Sequence, residues 1–320
     1  MRAYMILSDG AAPDLADTPM PEPQQGELRL RIGACGLNFA DLLMVTGQYQ
    51  DTPAAPFTLG MEAAGVVDAL GPDTIGPAVG SRVAVFGGQG GLAEYGCFDA
   101  SRVVPLPDTM SFEQAAAFQI AYGTSHVALD YKARLQPGET LLVLGAAGGV
   151  GLTAVEIGKL MGANVIACAR GAEKLEVCRQ AGADHLIDAK SQDLLAECKA
   201  LGGVDVVYDP VGGDQFKAAF RACNPEARLL SIGFASGEVP KVPANHLLVK
   251  NLSVMGFYWG GYLKFKPQVV TDSLATLMGW FEQGRLTPHI SHTLPLEQTG
   301  EALELLRTRK STGKVVITLP

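Results

Sequence analysis

The chain has 320 residues, 48% of them hydrophobic and 18% charged, so it is long enough for two domains with large cores. A net charge of −8 and an isoelectric point near 5.2 argue against a nucleic acid as a partner. The N-terminal residues lack the long apolar stretch of a secretory signal, and no run approaches the roughly 18 apolar residues of a membrane span. Six cysteines without a C-x-x-C pair are typical of reduced thiols in a cytoplasmic protein.

Short segments of β character, separated by Gly and Pro, fill residues 1–110. Polar and apolar residues alternate from Glu27 to Ile32, which predicts a strand with one buried face in an antiparallel sheet. From Ser111 the sequence becomes Ala-rich and predicts a long helix. Gln114, three residues after Ser111, predicts a capping box at the start of that helix.

Beyond residue 138 predicted strands and helices alternate. Connections of this length are typical of right-handed βαβ units, so the strands should form a parallel sheet. The tail is mixed, with helices predicted at 268–283 and 296–309 and a last strand at 314–319. The alternating region has predicted strands at 139–146, 164–169, 185–188, 204–211, 227–234 and 252–257, with helices at 148–163, 172–183, 191–203 and 213–224.

This order of segments predicts an α/β protein in which a β-rich domain is discontinuous around a doubly wound domain. Residues 1–120 form the first part of the β-rich substrate domain, and residues 121–260 form the parallel-sheet domain. Residues 261–320 are predicted to return to the substrate domain.

A Gly-rich turn joins the first predicted parallel strand to the helix that follows it. Residues 143–151 read Val-Leu-Gly-Ala-Ala-Gly-Gly-Val-Gly, and small residues there let the backbone approach a pyrophosphate. The N–H groups at the start of the helix face such an anion, which selects Ala147, Gly148, Gly149 and Val150 as cofactor contacts. A phosphoryl-transfer loop is excluded because Gly-Lys-Ser/Thr does not follow the turn.

The end of the second parallel strand indicates which dinucleotide binds. NAD-binding units place Asp or Glu about 20 residues after the turn, to hold the ribose 2′-hydroxyl. Here the strand ends on Arg170, and Lys174 follows one turn later. Two cations without an acid at the strand end favour the 2′-phosphate of NADPH, although Glu173 lies between them.

Four motifs follow one another in a distinctive order along the chain: N-x-x-D and G-x-Y within 38–49, G-x-E-x-x-G-x-V at 60–67, the turn at 145–151, and the ending at 313–316. In this order they resemble the zinc-free, zeta-crystallin-like quinone oxidoreductases of the medium-chain dehydrogenase/reductase superfamily. The resemblance covers essentially the whole chain and implies a GroES-like substrate domain split around a Rossmann domain. It also implies a homodimer, with the apolar run near Phe257 and Trp259 either at the dimer edge or at the mouth of the site.

The departures from the zinc alcohol dehydrogenases of the same superfamily exclude their metal chemistry. Those enzymes carry Cys where this chain has Asn38 and His where it has Met61, and the insertion with four clustered Cys is missing. Amide and thioether groups are poor zinc ligands, so no metal site is expected. His289 and His292 have metal-like spacing, but two histidines alone make an incomplete site.

The resemblance also selects the reacting groups. Asn38, through its amide N–H, and Tyr49, through its hydroxyl, are expected to stabilise or protonate the acceptor oxygen. Asp41 is expected to hold local backbone or an Arg. Around the cofactor, the resemblance places Thr124 near the nicotinamide. Phe234 follows the fifth parallel strand, where open sheets place their ligands, and Phe257 is a candidate for the mouth of the site. Lys314 either contacts a phosphate or is a charge at a strand edge.

The predicted function is hydride transfer from NADPH to a quinone or a related electron-poor carbonyl, in the cytoplasm and without metal. Two alternatives remain: reduction of an activated C=C bond, and an NADPH-binding protein without catalysis. The Tyr262-x-x-x-Lys266 pair of a short-chain dehydrogenase is disfavoured, because Gly260, Gly261 and Pro267 oppose the helix that pair requires.

Overall fold

A computed structural model describes all residues 1–320, and the chain divides into two compact units. The first unit comprises residues 1–120 and 288–320, and the second comprises 121–287. The chain therefore returns to the first unit at Pro288, and the predicted return at residue 261 is wrong. The reason is packing within the second unit, where His126 Nδ1 lies 2.8 Å from Ser273 Oγ and the His126 ring meets Trp280 edge-on.

The first unit is built on strands, as its Gly- and Pro-rich sequence indicates. The alternating segment at 27–32 lies in a strand that buries Leu28, Leu30 and Ile32 completely. The elements of the N-terminal segment are β1 Arg2–Ile6, β2 Asp14–Asp17, β3 Glu27–Gly36, α1 Phe39–Val45, β4 Phe57–Thr58, β5 Glu62–Leu70, β6 Arg82–Phe86, β7 Tyr95–Asp99, β8 Val103–Pro105 and α2 Phe112–Ala116.

The long helix predicted from Ser111 is interrupted. Its capping box is confirmed, with the Ser111 hydroxyl accepting from the Gln114 N–H and the Gln114 amide oxygen accepting from the Ser111 N–H. However, α2 ends at Ala116 and a new helix starts at Gln119. The Ile120 N–H donates to Glu62 Oε2 at 2.9 Å, so a buried carboxylate takes a donor that an unbroken helix would pair internally.

The second unit alternates strands and helices as predicted. Its core is formed by apolar residues of both, among them Leu142, Ile166 and Phe216. No helix of the chain is long and apolar enough to cross a membrane. The elements are α3 Gln119–His126, a π-helical turn Val127–Lys132, β9 Thr140–Leu144, α4 Gly149–Leu160, β10 Asn164–Ala169, α5 Ala172–Gln180, β11 His185–Asp188, α6 Leu194–Ala200, β12 Val204–Asp209, α7 Gly213–Ala222, β13 Cys223–Ser231, α8 Ala244–Lys250, β14 Ser253–Gly256, α9 Trp259–Phe265 and α10 Pro267–Glu282.

The six strands of the second unit form one parallel sheet in the order β11-β10-β9-β12-β13-β14. Strand order reverses around β9, whose neighbours are β10 and β12. In doubly wound sheets, ligands bind at the carboxyl ends of the strands where the order reverses. The Gly-rich turn follows β9 and therefore lies at that point.

The tail completes the first unit with β15 Ile290–Pro295, α11 Thr299–Arg307 and β16 Lys314–Thr318. The main sheet runs β15-β16-β3-β5-β6-β8, with β7 also paired to β3, and a small sheet runs β2-β1-β4. Because β16 lies between β15 and β3, a residue near the C-terminus enters the interior of the N-terminal domain. This connection brings Lys314 to residues more than 250 positions earlier.

Candidate functional site

The Gly-rich turn of the second unit adopts the geometry that its sequence predicts. Gly145 has a left-handed backbone with φ of +58°, and α4 begins at Gly149. A Cβ on Gly151 would lie 2.3 Å from the Gly145 carbonyl oxygen, so only glycine lets the helix pack this closely on the turn. Ala147 is buried and Gly148 is exposed. The turn thus presents open backbone at the start of a helix, where an anion binds.

A buried hydroxyl network holds this turn, and sequence analysis missed it. Ser125 Oγ donates to the Val150 carbonyl at 2.9 Å and lies within 3.0 Å of both Thr153 Oγ1 and Tyr208 Oη. Thr153 Oγ1 also donates to the Ala121 carbonyl. These bonds join α3, the first turn of α4 and β12. Thr124, predicted beside the nicotinamide, is the buried neighbour of Ser125 in α3.

The cations predicted to select NADPH lie at the carboxyl end of β10. Arg170 is exposed directly after the strand, and Lys174 is half-buried in the first turn of α5. Gly171 has a φ of +84° and turns the chain into that helix. No acidic side chain occupies the last position of β10, which is Ala169.

The two aromatic residues predicted to contact the cofactor differ in environment. Phe234 follows β13 and is partly exposed, so its ring is available to a ligand. Phe257 is buried, and its ring lies 5.5 Å from that of Tyr262. Trp259, proposed with it for the mouth of the site, is buried as well. Whether Phe234 and Phe257 contact the cofactor stays a prediction.

A buried polar cluster surrounds Asn38 in the first unit. Lys314 Nζ donates to Asn38 Oδ1 and to Glu62 Oε1, each at 2.7 Å. Asn38 Nδ2 donates to Glu62 Oε1 at 3.0 Å and to the Gly36 carbonyl at 3.2 Å. Glu62 is 1% exposed and Lys314 is 5% exposed, so this ion pair is shielded from solvent. We call Asn38, Glu62 and Lys314 the Asn38 cluster.

The Asn38 cluster changes the role predicted for its amide. Both N–H groups of Asn38 point at protein acceptors, Glu62 and Gly36, and not at a free position. A flipped amide would turn its oxygen to the Glu62 carboxylate and its nitrogen to the Lys314 ammonium, so the observed orientation is the favourable one. Asn38 therefore has no free N–H in this arrangement, and the expectation that it donates to the acceptor oxygen stays a prediction.

Lys314 also differs from its predicted setting. The strand-edge alternative is wrong, because β16 is an interior strand and the ammonium is buried against Glu62. The phosphate alternative gains no support from these contacts, since two of its three N–H groups already bind protein atoms. No local pattern points to this pairing, because the partners are 252 and 276 residues away.

Asp41 and Tyr49 complete the predicted residues of the first unit. Asp41 Oδ2 accepts from the Asn38 N–H at 2.7 Å, which agrees with a role in holding local backbone. Tyr49 is half-buried beyond the end of α1.

Burial raises the pKa of the Asp41 carboxyl to about 6, and the hydrogen bond from the Asn38 N–H limits the rise. The carboxyl is fully buried, and its Oδ1 has no hydrogen-bond partner.

The raised pKa of Asp41 predicts a pH dependence of stability. Since its ordinary value is 3.8, only the folded state holds this proton between about pH 4 and pH 6. The free energy of unfolding should fall by roughly 3 kcal/mol as pH rises through that window, then level off. Asp41→Asn should remove this part of the profile in urea unfolding measured from pH 4 to 8. The exposed Asp108→Asn is the control, and parallel profiles for Asp41→Asn and wild type would refute the assignment.

The remaining residues considered as metal ligands are not arranged around a common point. Met61 is buried and directly precedes Glu62. His289 Nε2 lies 2.9 Å from Thr312 Oγ1, and His292 Nδ1 lies 2.9 Å from Ser291 Oγ. No group of three His, Cys, Asp or Glu side chains is arranged to hold a metal ion.

Comparison with known proteins agrees with the two-unit architecture. The alcohol dehydrogenase GroES-like domain model matches residues 24–108, and the zinc-binding dehydrogenase model matches residues 149–276. Quinone oxidoreductase-like protein 2 homolog of Nematostella vectensis is 40% identical over 297 residues, which cover 91% of this chain and 81% of that protein.

Solved structures resemble the chain over its whole length. The quinone oxidoreductase of Thermus thermophilus, determined also as its complex with NADPH, is 34% identical, with a TM-score of 0.89 and full coverage of both chains. Escherichia coli quinone oxidoreductase in complex with NADPH is 28% identical, with a TM-score of 0.90 over 99% of each chain.

A GroES-like unit that is interrupted by a Rossmann unit defines the chain as a medium-chain dehydrogenase/reductase. Within that superfamily it belongs to the zinc-free quinone oxidoreductase family. The family and the fold expected from the motifs are thereby confirmed.

Proposed function

We propose that the protein is an NADPH-dependent reductase that transfers hydride to a quinone or a related electron-poor carbonyl without a metal. The observation that carries the proposal is the turn between β9 and α4. Gly151 lets α4 pack on the Gly145 carbonyl at a distance that any Cβ would prevent. Relatives named quinone oxidoreductase, two of them solved with NADPH, support the same cofactor and acceptor class.

The residues of the second unit fit this cofactor. Backbone N–H groups of Ala147, Gly149 and Val150 would hold the pyrophosphate, because donors at a helix start have no partner within the helix. The Gly148 N–H already donates to the Gly145 carbonyl at 3.0 Å, so Gly148 would contribute its open surface. Arg170 and Lys174 would neutralise the 2′-phosphate. When bound, NADPH supplies the hydride, and the protein contributes position and charge.

The first unit supplies the polar groups proposed to act on the acceptor. Tyr49 is the proposed donor to the acceptor oxygen, which gains negative charge as hydride arrives. The proposed part of Asn38 is narrower than the sequence suggested. Its oxygen accepts from Lys314 and its nitrogen donates to Glu62, so Asn38 is proposed to hold these two groups in place.

Turnover tests this function directly. Purified protein with NADPH and 1,4-benzoquinone or 9,10-phenanthrenequinone should consume reduced cofactor, and dialysis against EDTA should leave the rate unchanged. Tyr49→Phe should lower kcat by about 10²-fold, whereas Tyr131→Phe in the second unit should not. A rate lost with EDTA contradicts the metal-free proposal. Turnover only with enones selects the C=C alternative, and NADPH binding without turnover selects a non-catalytic binder.

The edge of the parallel sheet supports a proposed homodimer. β14 is an outer strand with one unpaired side. On the neighbouring helix α8, Leu248 and Val249 are 79% and 77% exposed, which is unusual for two adjacent apolar residues on a monomer. Sedimentation velocity should give the dimer mass, and Leu248→Glu should shift it to the monomer mass.

A cytoplasmic location also stays a proposal, supported by six free cysteines.

A further inference from the structure

The loops after β10 and β11 lie side by side at the carboxyl edge of the parallel sheet. The two strands pair in register, and Ala169 at the end of β10 is opposite Asp188 at the end of β11. Arg170 and Gly171 therefore emerge beside Ala189 and Lys190. In the sequence these loops are separated by the whole of α5.

Asp188 fixes the second loop against the first. Its Oδ1 accepts from the Gly171 N–H at 2.9 Å and from the Lys190 N–H at 3.0 Å. Its Oδ2 accepts from the Ser191 hydroxyl at 3.1 Å. These bonds lower the pKa of the Asp188 carboxyl, and the bond from the Gly171 N–H has the largest effect. Its negative charge is thus compensated largely by donors of the two loops.

This arrangement brings the Lys190 ammonium to the turn that carries Arg170. A Cβ on Gly171 would lie 3.8 Å from Lys190 Nζ. Lys190 and Arg170 are both exposed, and neither takes part in a salt bridge. Arg170 and Lys190, one from each loop, thus lie near Lys174 in the first turn of α5.

We propose that Lys190 is a specificity-determining residue that binds the 2′-phosphate of NADPH, with Asp188 as its positioning residue. The inference rests on the proposed NADPH dependence. A phosphomonoester carries a charge of about −1.5 to −2 at neutral pH and offers three acceptor oxygens, so a third donor adds to Arg170 and Lys174. The ribose 2′-hydroxyl of NADH carries no such charge, and Lys190 therefore discriminates between the two cofactors.

Binding measurements on Lys190→Met test the assignment, because Met keeps most of the side-chain stem. The dissociation constants of NADPH, NADH, 2′,5′-ADP and 5′-AMP are measured by calorimetry or fluorescence. The variant should bind NADPH and 2′,5′-ADP about tenfold more weakly, with NADH and 5′-AMP unchanged. The preference for NADPH should also depend less on salt than in wild type. Lys199→Met, on the exposed face of α6, is the matched control.

The outcomes separate this inference from the function on which it rests. If wild type prefers NADPH and Lys190→Met keeps that preference in full, Lys190 is not a specificity residue. If the variant loses affinity equally for NADPH and NADH, its role is structural and the assignment fails. If wild type binds both cofactors equally, the NADPH dependence fails and the inference fails with it.

Discussion

Lys314→Met should lower the free energy of unfolding by about 3–5 kcal/mol, the largest effect expected of any single charge removal in the protein. The substitution leaves the Glu62 carboxylate buried without its cation and leaves Asn38 Oδ1 without a donor. Urea unfolding at neutral pH measures the change, with Lys310→Met, at an exposed position four residues earlier, as the control.

A double variant shows whether the loss comes from the pair. Glu62→Gln alone should also destabilise the protein. The two carboxylate oxygens of Glu62 accept from Ile120, Lys314 and Asn38, whereas a Gln amide has a single oxygen that can accept. In the double variant the losses should be smaller than the sum of the two single losses, since no unpaired charge remains. Additive losses, or a loss below about 1 kcal/mol for Lys314→Met, would show that the ion pair is not buried in solution.

Gly151→Ala should weaken NADPH binding by about 10²-fold and destabilise the protein by about 1–3 kcal/mol. The added methyl group would lie 2.3 Å from the Gly145 oxygen and 2.9 Å from Ala146 Cα, both backbone atoms that cannot rotate away. The turn must widen, which moves the N–H groups of α4 away from the pyrophosphate. Isothermal calorimetry and urea unfolding measure the two effects.

Two other glycines make matched comparisons for this substitution. Gly148→Ala meets the Gly145 oxygen only at 3.4 Å, so it should fold normally yet obstruct the exposed face on which the cofactor is proposed to lie. Gly279→Ala adds a methyl group in open space within α10 and should bind NADPH normally, with a gain in stability of about 1 kcal/mol. If Gly151→Ala bound NADPH with wild-type affinity, the turn would not be part of the cofactor site.

Much of the fold could be predicted because the signals are local. The alternation at 27–32, the capping box at Ser111 and the alternating strands and helices are properties of a few adjacent residues. The interruption after Ala116 and the late return at Pro288 could not be predicted in this way. Both depend on distant partners, a buried carboxylate on β5 in one case and the packing of α10 on His126 in the other.

The same distinction between local signals and distant partners applies to the candidate site. The Gly-rich turn and Arg170 could be predicted as cofactor contacts because glycines and cations act through backbone geometry and charge close to them in sequence. Lys190 was missed because only the pairing of β10 with β11 places it beside Gly171. The donor role predicted for Asn38 could not be judged from the sequence, because it depends on where the two amide N–H groups point.

By itself, the sequence determined the family and the alternation of strands and helices in the second unit. It also predicted chemistry without zinc, since Asn38 and Met61 replace residues that could bind zinc. Only the tertiary structure decided what those residues do instead. A buried polar atom must find a partner, and its partner is whichever group the folded chain brings within hydrogen-bond distance. For Asn38 that group is Lys314 on β16, which reaches it because the C-terminal strand enters the N-terminal sheet.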